Sequence, residues 1–280
     1  MNELSVRDAR VRRIRRLLAQ RSARRSEGAF VVEGANVVGV ALDAAADIEA
    51  LYVAPEAESV CPELLARATG AGVLVHHFAA GVLERVAGTV TPQPVLAVVR
   101  HRPPGLAELA GAGARGVPGE AALLVVAVDV RDPGNGGTLI RSAEAAGAHG
   151  VVFCRGSVDV TNPKTVRASA GALFHVPVVE CGDPQEVLGV LGDEGLMRIA
   201  TAARGGERPD CVDLTRPVAL VFGNEAQGLS PSVIDGVDGT VTIPMLGRAE
   251  SLNLGMAASI LLYEARRQRG VGGETRQGVA

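Results

Sequence analysis

The sequence predicts an α/β protein with two domains, a small α/β domain followed by a larger one with a mostly parallel sheet. The chain has 280 residues, enough for two domains of ordinary size. Apolar residues make up 47% of it, yet its aromatic residues are only five Phe and two Tyr. A core of Val, Leu, Ile and Ala is typical of buried parallel strands. Runs that favour strands also alternate with runs that favour helices, which indicates the α/β class.

The first predicted domain covers residues 1–100. It opens with an arginine-rich amphipathic helix over residues 5–21, in which Val6, Leu17 and Leu18 supply the apolar face. Short strands and helices then alternate. Strands are predicted at 30–33, 48–53, 72–76 and 95–99, and helices at about 35–43, 62–68 and 81–86.

The second predicted domain covers residues 121–269 and follows a Gly-, Pro- and Ala-rich stretch, 101–120, whose composition predicts a linker. The Gly-rich residues 270–280 are predicted to form a disordered tail. A short helix is expected to begin at Pro231, after Ser230. Strands are predicted at 123–128, 150–153, 176–179, 196–201, 218–222 and 240–243, and helices at 138–146, 163–170, 184–191 and 251–269.

The last helix is apolar around its whole circumference. Such a helix is buried on most sides, so we expect it to pack both on the sheet and on another body such as a second subunit. The residues that carry this pattern are Leu252, Leu254, Met256, Ala257, Ile260, Leu261 and Leu262.

Several classes of protein are disfavoured by composition. The four cysteines stand far apart with no CxxC pair, which argues against a zinc site and a disulfide framework and favours a reducing compartment. No apolar stretch resembling a signal peptide follows the basic N-terminus. No run reaches the ~18 apolar residues that a membrane helix needs. We therefore expect a cytoplasmic protein without a bound metal.

The basic residues are concentrated at the N-terminus, although the net charge is −3. Residues 1–25 hold nine arginines against two acidic residues, and Lys164 is the chain's single lysine. The planar guanidinium of arginine can form two hydrogen bonds to a phosphate. Residues 1–25, called the basic arm, therefore fit an anionic partner such as nucleic acid. A solvated basic helix without a partner is the alternative interpretation.

Polar residues follow three of the predicted strands at their carboxyl ends, where ligands bind in open α/β sheets. The first group is the sequence DVRDPGNGGTLIR at 129–141, with Asn135 and Arg141 six residues apart across a helix start. Its glycines allow a sharp turn and close approach to a ligand. The spacing is not the GxGxxG of dinucleotide sites. Taken alone, this group favours a structural strand–helix turn with a solvated arginine.

The other two groups follow the strands at 218–222 and 240–243. LVFGNEAQGLS at 220–230 places Glu225 directly after a buried strand, where it is either functional or a plain loop carboxylate. IPMLGRAESLNLGMAASILLYEARR at 243–267 places Ser251, an expected helix N-cap, and Asn253 at the start of the last helix.

In this order and spacing, the three groups resemble the motifs of the SpoU/TrmH family of SPOUT RNA ribose methyltransferases. The stretch NPKTVRASAG at 162–171 is also similar to this family. FVVEGAN at 30–36 and residues 91–99 resemble its small, ribosomal-protein-like substrate-binding domain. The resemblance spans about residues 10–269.

The resemblance implies a trefoil-knotted domain, a homodimer and S-adenosylmethionine as the cofactor. The catalytic residues it implies are Asn135, Arg141, Glu225, Ser251 and Asn253. The cofactor-binding residues it implies are Phe222, Gly223, Asn224, Ile243, Met245, Ser251 and Leu252. We expect RNA to be bound by the basic arm and two further cations, namely Arg12, Arg13, Arg24, Arg25, Lys164 and Arg167.

The activity implied is methylation of a ribose 2′-hydroxyl in structured RNA. Arginine rarely gives up a proton, so we expect Arg141 to orient the hydroxyl and stabilise developing negative charge rather than act as the base. Large-subunit ribosomal RNA is the favoured substrate and transfer RNA the alternative. There are two rival hypotheses. The first is an inactive RNA-binding homologue, which the intact set of catalytic residues disfavours. The second is a nucleotide-dependent oxidoreductase, which the absence of a GxGxxG motif and of a P-loop lysine disfavours.

Overall fold

The computed structural model describes residues 3–87, 91–114 and 121–270, and it divides the chain into two compact units. Unit 1 comprises residues 1–103 and 158–175. Unit 2 comprises residues 104–157 and 176–280. The chain therefore leaves unit 2 after Ser157, contributes eighteen residues to unit 1, and returns at Val176.

Unit 1 is a four-stranded sheet with helices on both faces. Its strands are β1 (Ala29–Glu33), β2 (Ile48–Val53), β3 (Leu74–His77) and β4 (Val95–Arg100). Its helices are α1 (Ala9–Ala19), α2 (Arg21–Glu27), α3 (Ala35–Asp43), α4 (Ala57–Val60), α5 (Pro62–Gly70), α6 (Leu83–Val86) and α9 (Pro163–Ser169), followed by a 3-10 turn at Ala172–Phe174.

The strand order in unit 1 is β1-β4-β2-β3, with β4 antiparallel to both neighbours and β2 parallel to β3. Alternate residues of a strand face opposite sides of a sheet. Ala29 and Val31 accordingly enter a core closed by α1, α2 and α6. Phe30 and Val32 enter a second core, closed by α3, α4, α5 and α9.

Unit 2 contains a six-stranded sheet in which every strand pair is parallel. Its strands are β5 (Leu123–Ala127), β6 (Gly150–Cys154), β7 (Val178–Cys181), β8 (Met197–Thr201), β9 (Val218–Phe222) and β10 (Gly239–Val241). Its helices are α7 (Leu106–Ala114), α8 (Pro133–Ala145), α10 (Pro184–Asp193), α11 (Pro231–Ile234) and α12 (Leu254–Gln268).

The strand order in unit 2 is β10-β8-β9-β5-β6-β7. From β5 the chain builds outward through β6 and β7, and it later places β9 against the other side of β5. The boundary between β5 and β9 is thus a topological switch point, and ligands bind beyond the carboxyl ends of strands at such a point. One sheet face packs on α7, α10 and α11, while α8 contacts β5 and β6 and packs along α12.

The α/β prediction with a mostly parallel second sheet is confirmed, but several predicted boundaries are wrong. The predicted linker 101–120 contains α7, and its residues 115–120 lie outside the described part of the chain. The predicted helix 5–21 is two helices, because α1 ends at Ala19 and α2 follows. The predicted helix 163–170 forms α9 but belongs to unit 1. Nearly all of the predicted tail, residues 271–280, also lies outside the described residues.

The last helix is buried on one side only within a single chain. Its small and leucine residues, such as Ala258 and Leu261, are buried, but Met256, Ile260 and Tyr263 are 61%, 44% and 74% exposed. These three side chains, called the apolar stripe of α12 below, are free of contacts that would bury them. Among the helices that the structure describes, none is long and apolar enough to cross a membrane.

Candidate functional site

The loop after β5 is shaped by the start of α8. Asp132 caps this helix, and its carboxylate accepts a hydrogen bond from the backbone N–H of Asn135 at 2.7 Å. Pro133 occupies the first helical position, where its missing N–H costs nothing. The helix therefore begins five residues earlier than predicted, and Asn135 lies in its first turn rather than in a Gly-rich loop.

The loop after β9 is a tight turn held by Asn224. Its backbone N–H donates to Gly228 O at 3.0 Å, and Gly228 N–H donates back at 2.9 Å. The Asn224 side chain accepts two further backbone N–H groups within the turn and donates to Asp129 O at 2.9 Å. A Cβ on Gly223 would lie 2.6 Å from the backbone of Leu229, so only glycine fits there. The turn is thereby fastened to the end of β5.

Glu225 connects the two loops. Its Oε1 accepts hydrogen bonds from Asn135 Nδ2 at 3.1 Å and from the Asp132 N–H at 3.2 Å, while Oε2 accepts from the Arg131 N–H at 3.4 Å. Burial raises the pKa of this carboxyl, but the hydrogen bonds from Asn135 and the loop backbone outweigh it and hold the pKa below the ordinary value. Glu225 is therefore a carboxylate whose lone pairs fix the loop, and it is a weak proton acceptor.

Asn253, the residue before α12, joins the third sequence group to the same network. It caps α12 by accepting the Gly255 N–H at 2.9 Å, and its Nδ2 donates to Asn135 Oδ1 at 2.9 Å. The hydrogen bonds thus run in one direction from Asn253 through Asn135 to Glu225. We call these three residues the amide–carboxylate network. The predicted convergence of three distant sequence segments is observed for these residues.

The close packing of α8 and α12 sets the position of this network. A Cβ placed on Gly255 would lie 3.0 Å from Thr138 Cβ and closer still to its Cγ2. Further along, the hydroxyls of Ser142 and Ser259 are 2.8 Å apart. Glycine at the second position of α12 therefore lets the two helix starts approach, which brings Asn253 within hydrogen-bond distance of Asn135.

Arg141 and Ser251 are not drawn into the network. Arg141 is exposed on α8, six residues after Asn135 and thus about 9 Å further along the helix axis. Within the described part of the chain, its guanidinium has no hydrogen-bond or ion-pair partner. Ser251 is also exposed, and Asn253 rather than Ser251 provides the N-cap of α12.

The residues predicted to bind the cofactor differ in burial. Phe222 and Gly223 are buried at the end of β9, whereas Ile243, Met245 and Leu252 are partly buried. The side chain of Asn224 holds the turn, and its role in cofactor binding stays a prediction.

The segment 243–252 has backbone groups that are open to a ligand. No backbone N–H or C=O of these ten residues is hydrogen-bonded to another described residue. Unpaired backbone groups are strong donors and acceptors, and the partly buried side chains provide apolar walls for a flat ring. This combination fits a ligand with an apolar ring system and polar edges. Residues 243–252 are called the cofactor segment below.

The predicted RNA-binding residues of unit 1 fall into three groups. Arg12 and Lys164 are exposed, and Arg25 is exposed but has interactions of its own. Arg13 is paired with Glu27 and Glu49, and Arg167 lies 3.4 Å from Glu33.

Arg24 is a correction to the prediction, because it is only 5% exposed. It forms an ion pair with the equally buried Asp159 and donates to Leu17 O at 2.7 Å. A guanidinium so enclosed holds unit 1 together and is not accessible to RNA phosphates.

Sequence reasoning missed Asp129, Arg131 and Asp132 as residues that shape the site. Asp129 adopts φ of 55°, which is rare for a residue other than glycine, and ion-pairs with Arg131 at 2.8 Å. The Asp-Pro pair at 132–133 is a recognisable helix-start signal. No sequence signal distinguishes Asp129, because its conformation depends on Asn224, far away in sequence.

Fold and site together define an α/β protein with a polar network at the carboxyl edge of a parallel sheet. A model of the SpoU rRNA methylase family matches residues 122–263. A model of the MRM3-like substrate binding domain matches residues 8–97. The chain belongs to the SpoU rRNA methylase family, and the resemblance predicted from its motifs is confirmed.

Similar proteins support this assignment over almost the whole chain. The 23S rRNA (guanosine(2553)-2′-O)-methyltransferase RlmP of Bacillus subtilis is 34% identical over 249 residues, covering 89% of this chain and 93% of RlmP. The AdoMet-bound rRNA methyltransferase of Sinorhizobium meliloti has a TM-score of 0.81 at 32% identity, covering 95% and 97% of the two chains. The SpoU methyltransferase AviRb of Streptomyces viridochromogenes, in complex with AdoMet, has a TM-score of 0.80 at 32% identity, covering 94% and 99%.

Proposed function

We propose that this protein transfers a methyl group from S-adenosylmethionine to a ribose 2′-hydroxyl of large-subunit ribosomal RNA. The observation that carries the proposal is the amide–carboxylate network at the switch point of unit 2, next to the unpaired backbone of the cofactor segment. Relatives that match most of the chain support the substrate class, since RlmP is a 23S rRNA 2′-O-methyltransferase by name.

The cofactor is proposed to bind along the cofactor segment. Backbone groups near Ile243, Met245, Ser251 and Leu252 would hold its polar edges, and the buried end of β9 at Phe222 and Gly223 would close one wall. S-adenosylmethionine supplies an electrophilic methyl group on a sulfonium when bound. The remaining chemistry falls to this chain's own residues.

The amide–carboxylate network is proposed to orient the ribose rather than to remove its proton. Glu225 is held below its ordinary pKa and has its oxygens occupied, so it stabilises Asn135 in one orientation. Asn253 does the same from the other side. Ser251, exposed two residues before Asn253, would contact the ribose from the cofactor side.

Arg141 is proposed to orient the 2′-hydroxyl and to stabilise negative charge as it develops on the oxygen. A guanidinium stays protonated in proteins, and preorganised donors stabilise developing charge more effectively than water does. Its free, exposed guanidinium is available for such a contact. Because Arg141 lies further along α8 than Asn135 and outside the amide–carboxylate network, we propose this role together with a dimer.

A homodimer is proposed, formed through the apolar stripe of α12. Three large apolar side chains exposed within two helical turns mark a surface for protein association. A groove of about 590 Å³ runs beside the stripe, lined in part by Pro209, Ile243 and Pro244. A second copy seated there would cover the stripe and approach the cofactor segment.

The knot and the cellular location also stay proposals. The chain returns from the edge strand β10 to Asn253, which is bonded to Asn135 near the sheet centre, and such a return supports a knotted path. A ribosomal RNA substrate supports the proposed cytoplasmic location. RNA would approach the exposed cations Arg12, Arg25 and Lys164, which position phosphates without reading sequence.

The test is methyl transfer from radiolabelled S-adenosylmethionine to an unmodified 23S rRNA transcript, with the product mapped for 2′-O-methylated nucleotides. Arg141→Ala should lose turnover while retaining cofactor binding by calorimetry. Arg216→Ala is the matched control, because Arg216 is an exposed arginine at the amino edge of the same sheet, before β9. Methylation of transfer RNA but not of 23S rRNA would refute the proposed substrate. Absence of cofactor binding would refute the proposed methyltransferase activity.

A further inference from the structure

We propose that Arg131 is a substrate-binding residue whose guanidinium grips a backbone phosphate of RNA beside the ribose that is methylated. The inference rests on the proposed function and adds to it an interaction outside the motif residues assigned above. It is carried by the position of the backbone, the fixed orientation of the side chain and the charge of the surrounding loops.

The backbone of Arg131 is part of the site. Its N–H donates to Glu225 Oε2 at 3.4 Å, and the next N–H, of Asp132, donates to Oε1 at 3.2 Å. The same Oε1 accepts from Asn135. The backbone of Arg131 therefore lies beside the carboxylate of Glu225, which belongs to the amide–carboxylate network.

The side chain of Arg131 is held in one direction. Its Nε donates to Asp129 Oδ1 at 2.8 Å, and Asp129 is itself clamped, since Asn224 donates to its backbone oxygen at 2.9 Å and to its Oδ2 at 3.4 Å. The side chain is nevertheless 71% exposed. Within the described residues neither terminal nitrogen has a partner, so both are directed at solvent as a pre-organised fork for an oxyanion.

The charge of the two loops makes this cation significant. Residues 128–132 and 223–230 hold three carboxylates, Asp129, Asp132 and Glu225, and one cation, Arg131. Each carboxylate accepts hydrogen bonds from the loops themselves. The guanidinium of Arg131 is thus the one group of these two loops that would attract a phosphate to this otherwise acidic edge of the sheet.

The chemistry of the substrate places a phosphate within reach. On a ribose, the 2′-oxygen and the 3′-phosphodiester stand on adjacent carbons. A ribose oriented by Asn135 and Asn253 therefore carries a phosphate next to the loop that begins α8. The carboxylate of the cofactor is the competing oxyanion, and the Kd of Arg131→Ala for S-adenosylmethionine decides between the two.

The experiment compares Arg131→Ala and Arg131→Lys with the wild type on the 23S rRNA transcript. A charge-assisted hydrogen bond contributes enough that Arg131→Ala should raise KM for RNA about 10- to 100-fold. The value of kcat should fall much less, and the Kd for S-adenosylmethionine by calorimetry should stay unchanged. The Lys variant should recover part of the loss, because it keeps the charge without the fork.

Salt dependence gives a readout that a purely structural role would not change. In filter binding, removing the interaction with one phosphate should lower the slope of log K against log salt by about 0.7–0.9. Arg216→Ala, the exposed arginine at the opposite sheet edge, should leave KM unchanged. Unchanged KM and slope in Arg131→Ala, an equal loss in Arg216→Ala, or weaker cofactor binding with normal RNA binding would each overturn the proposal.

The two proposals fail separately. A wild-type protein that binds the cofactor but does not methylate the transcript would refute the proposed substrate. Filter binding of the same transcript by wild type and Arg131→Ala at several salt concentrations would still decide whether Arg131 contacts phosphate.

Discussion

Replacing Gly255 by alanine should destabilise unit 2 and impair catalysis, although alanine is the better helix former. The new Cβ would lie 3.0 Å from Thr138 Cβ and closer to Cγ2, where ordinary contacts are 3.4 Å or more. The starts of α8 and α12 must then separate by roughly half an ångström or more, and overpacking of this kind costs about 1–3 kcal/mol. The gain in helix propensity is at most about 1 kcal/mol.

The same separation acts on the amide–carboxylate network. The hydrogen bond from Asn253 to Asn135 is 2.9 Å long, and such bonds are lost at about 3.5 Å. Asn253 stands only two residues before Gly255, so it moves with the helix. We expect kcat of Gly255→Ala to fall about tenfold or more, since small displacements of positioning groups have large kinetic effects.

Thr138→Ser provides the decisive comparison. Serine keeps the hydroxyl that donates to Gly134 O at 2.9 Å and removes only the clashing methyl. In thermal and urea unfolding, the double variant should be more stable than Gly255→Ala, with a coupling energy of about 1 kcal/mol. Gly189→Ala is the control, because Gly189 lies in α10 with nothing within 4 Å of its added Cβ, and it should stabilise. A coupling energy near zero, or full activity of Gly255→Ala, would refute the reasoning.

Three further outcomes are expected. Glu225→Gln should lower Tm by a constant amount above about pH 5. The pKa of Glu225 is depressed in the folded protein, so its carboxylate stabilises the fold fully at that pH and loses this effect only as pH falls through the folded pKa. A Tm difference between the variant and the wild type that changes between pH 6 and 8 would contradict this. Asp159→Asn should destabilise unit 1 by about 3–5 kcal/mol in urea unfolding by leaving the buried Arg24 unpaired, and a loss below 1 kcal/mol would contradict it. Ile260→Glu should give a monomer by light scattering, whereas Val60→Glu, at a comparably exposed valine of unit 1, should not; a dimeric Ile260→Glu would exclude the stripe as the interface.

The strands of unit 2 could be predicted from sequence because their physical signal is local. A continuous run such as LLVVA in β5 is apolar at every position, as strands buried on both faces must be. The failure at α7 has an equally physical reason. Its sequence, LAELAGAGA, contains two glycines and reads as a linker. Leu109 nevertheless packs closely over Gly150, where an added Cβ would lie 2.5 Å from a methyl group of Leu109, and this tertiary contact outweighs weak propensity.

The site was predictable in its residue types but not in its connections. The spacing within each motif indicated Asn135, Glu225 and Asn253, because each follows a strand or begins a helix. Which atoms bond depends on segments 90 and 118 residues apart. The same limit explains Arg24, whose partner Asp159 is 135 residues away. A run of arginines indicates charge, but its sequence cannot show which guanidinium is buried.

The arrangement of polar groups within one chain bears on how many chains form the active site. The amide–carboxylate network is complete in itself, since every member has its partner. Arg141 is left out of it, exposed and unpaired on the helix that packs along α12. The apolar stripe is left out of the core of the same helix pair. The backbone of Arg141 lies about 9 Å along the axis of α8 from that of Asn135, and its proposed role in charge stabilisation is therefore not provided by the hydrogen bonds of the network. The proposed association through α12 would bury the stripe, and it ties the proposed role of Arg141 to the dimer. The oligomeric state is therefore part of the catalytic hypothesis, and a fully active monomer would contradict both.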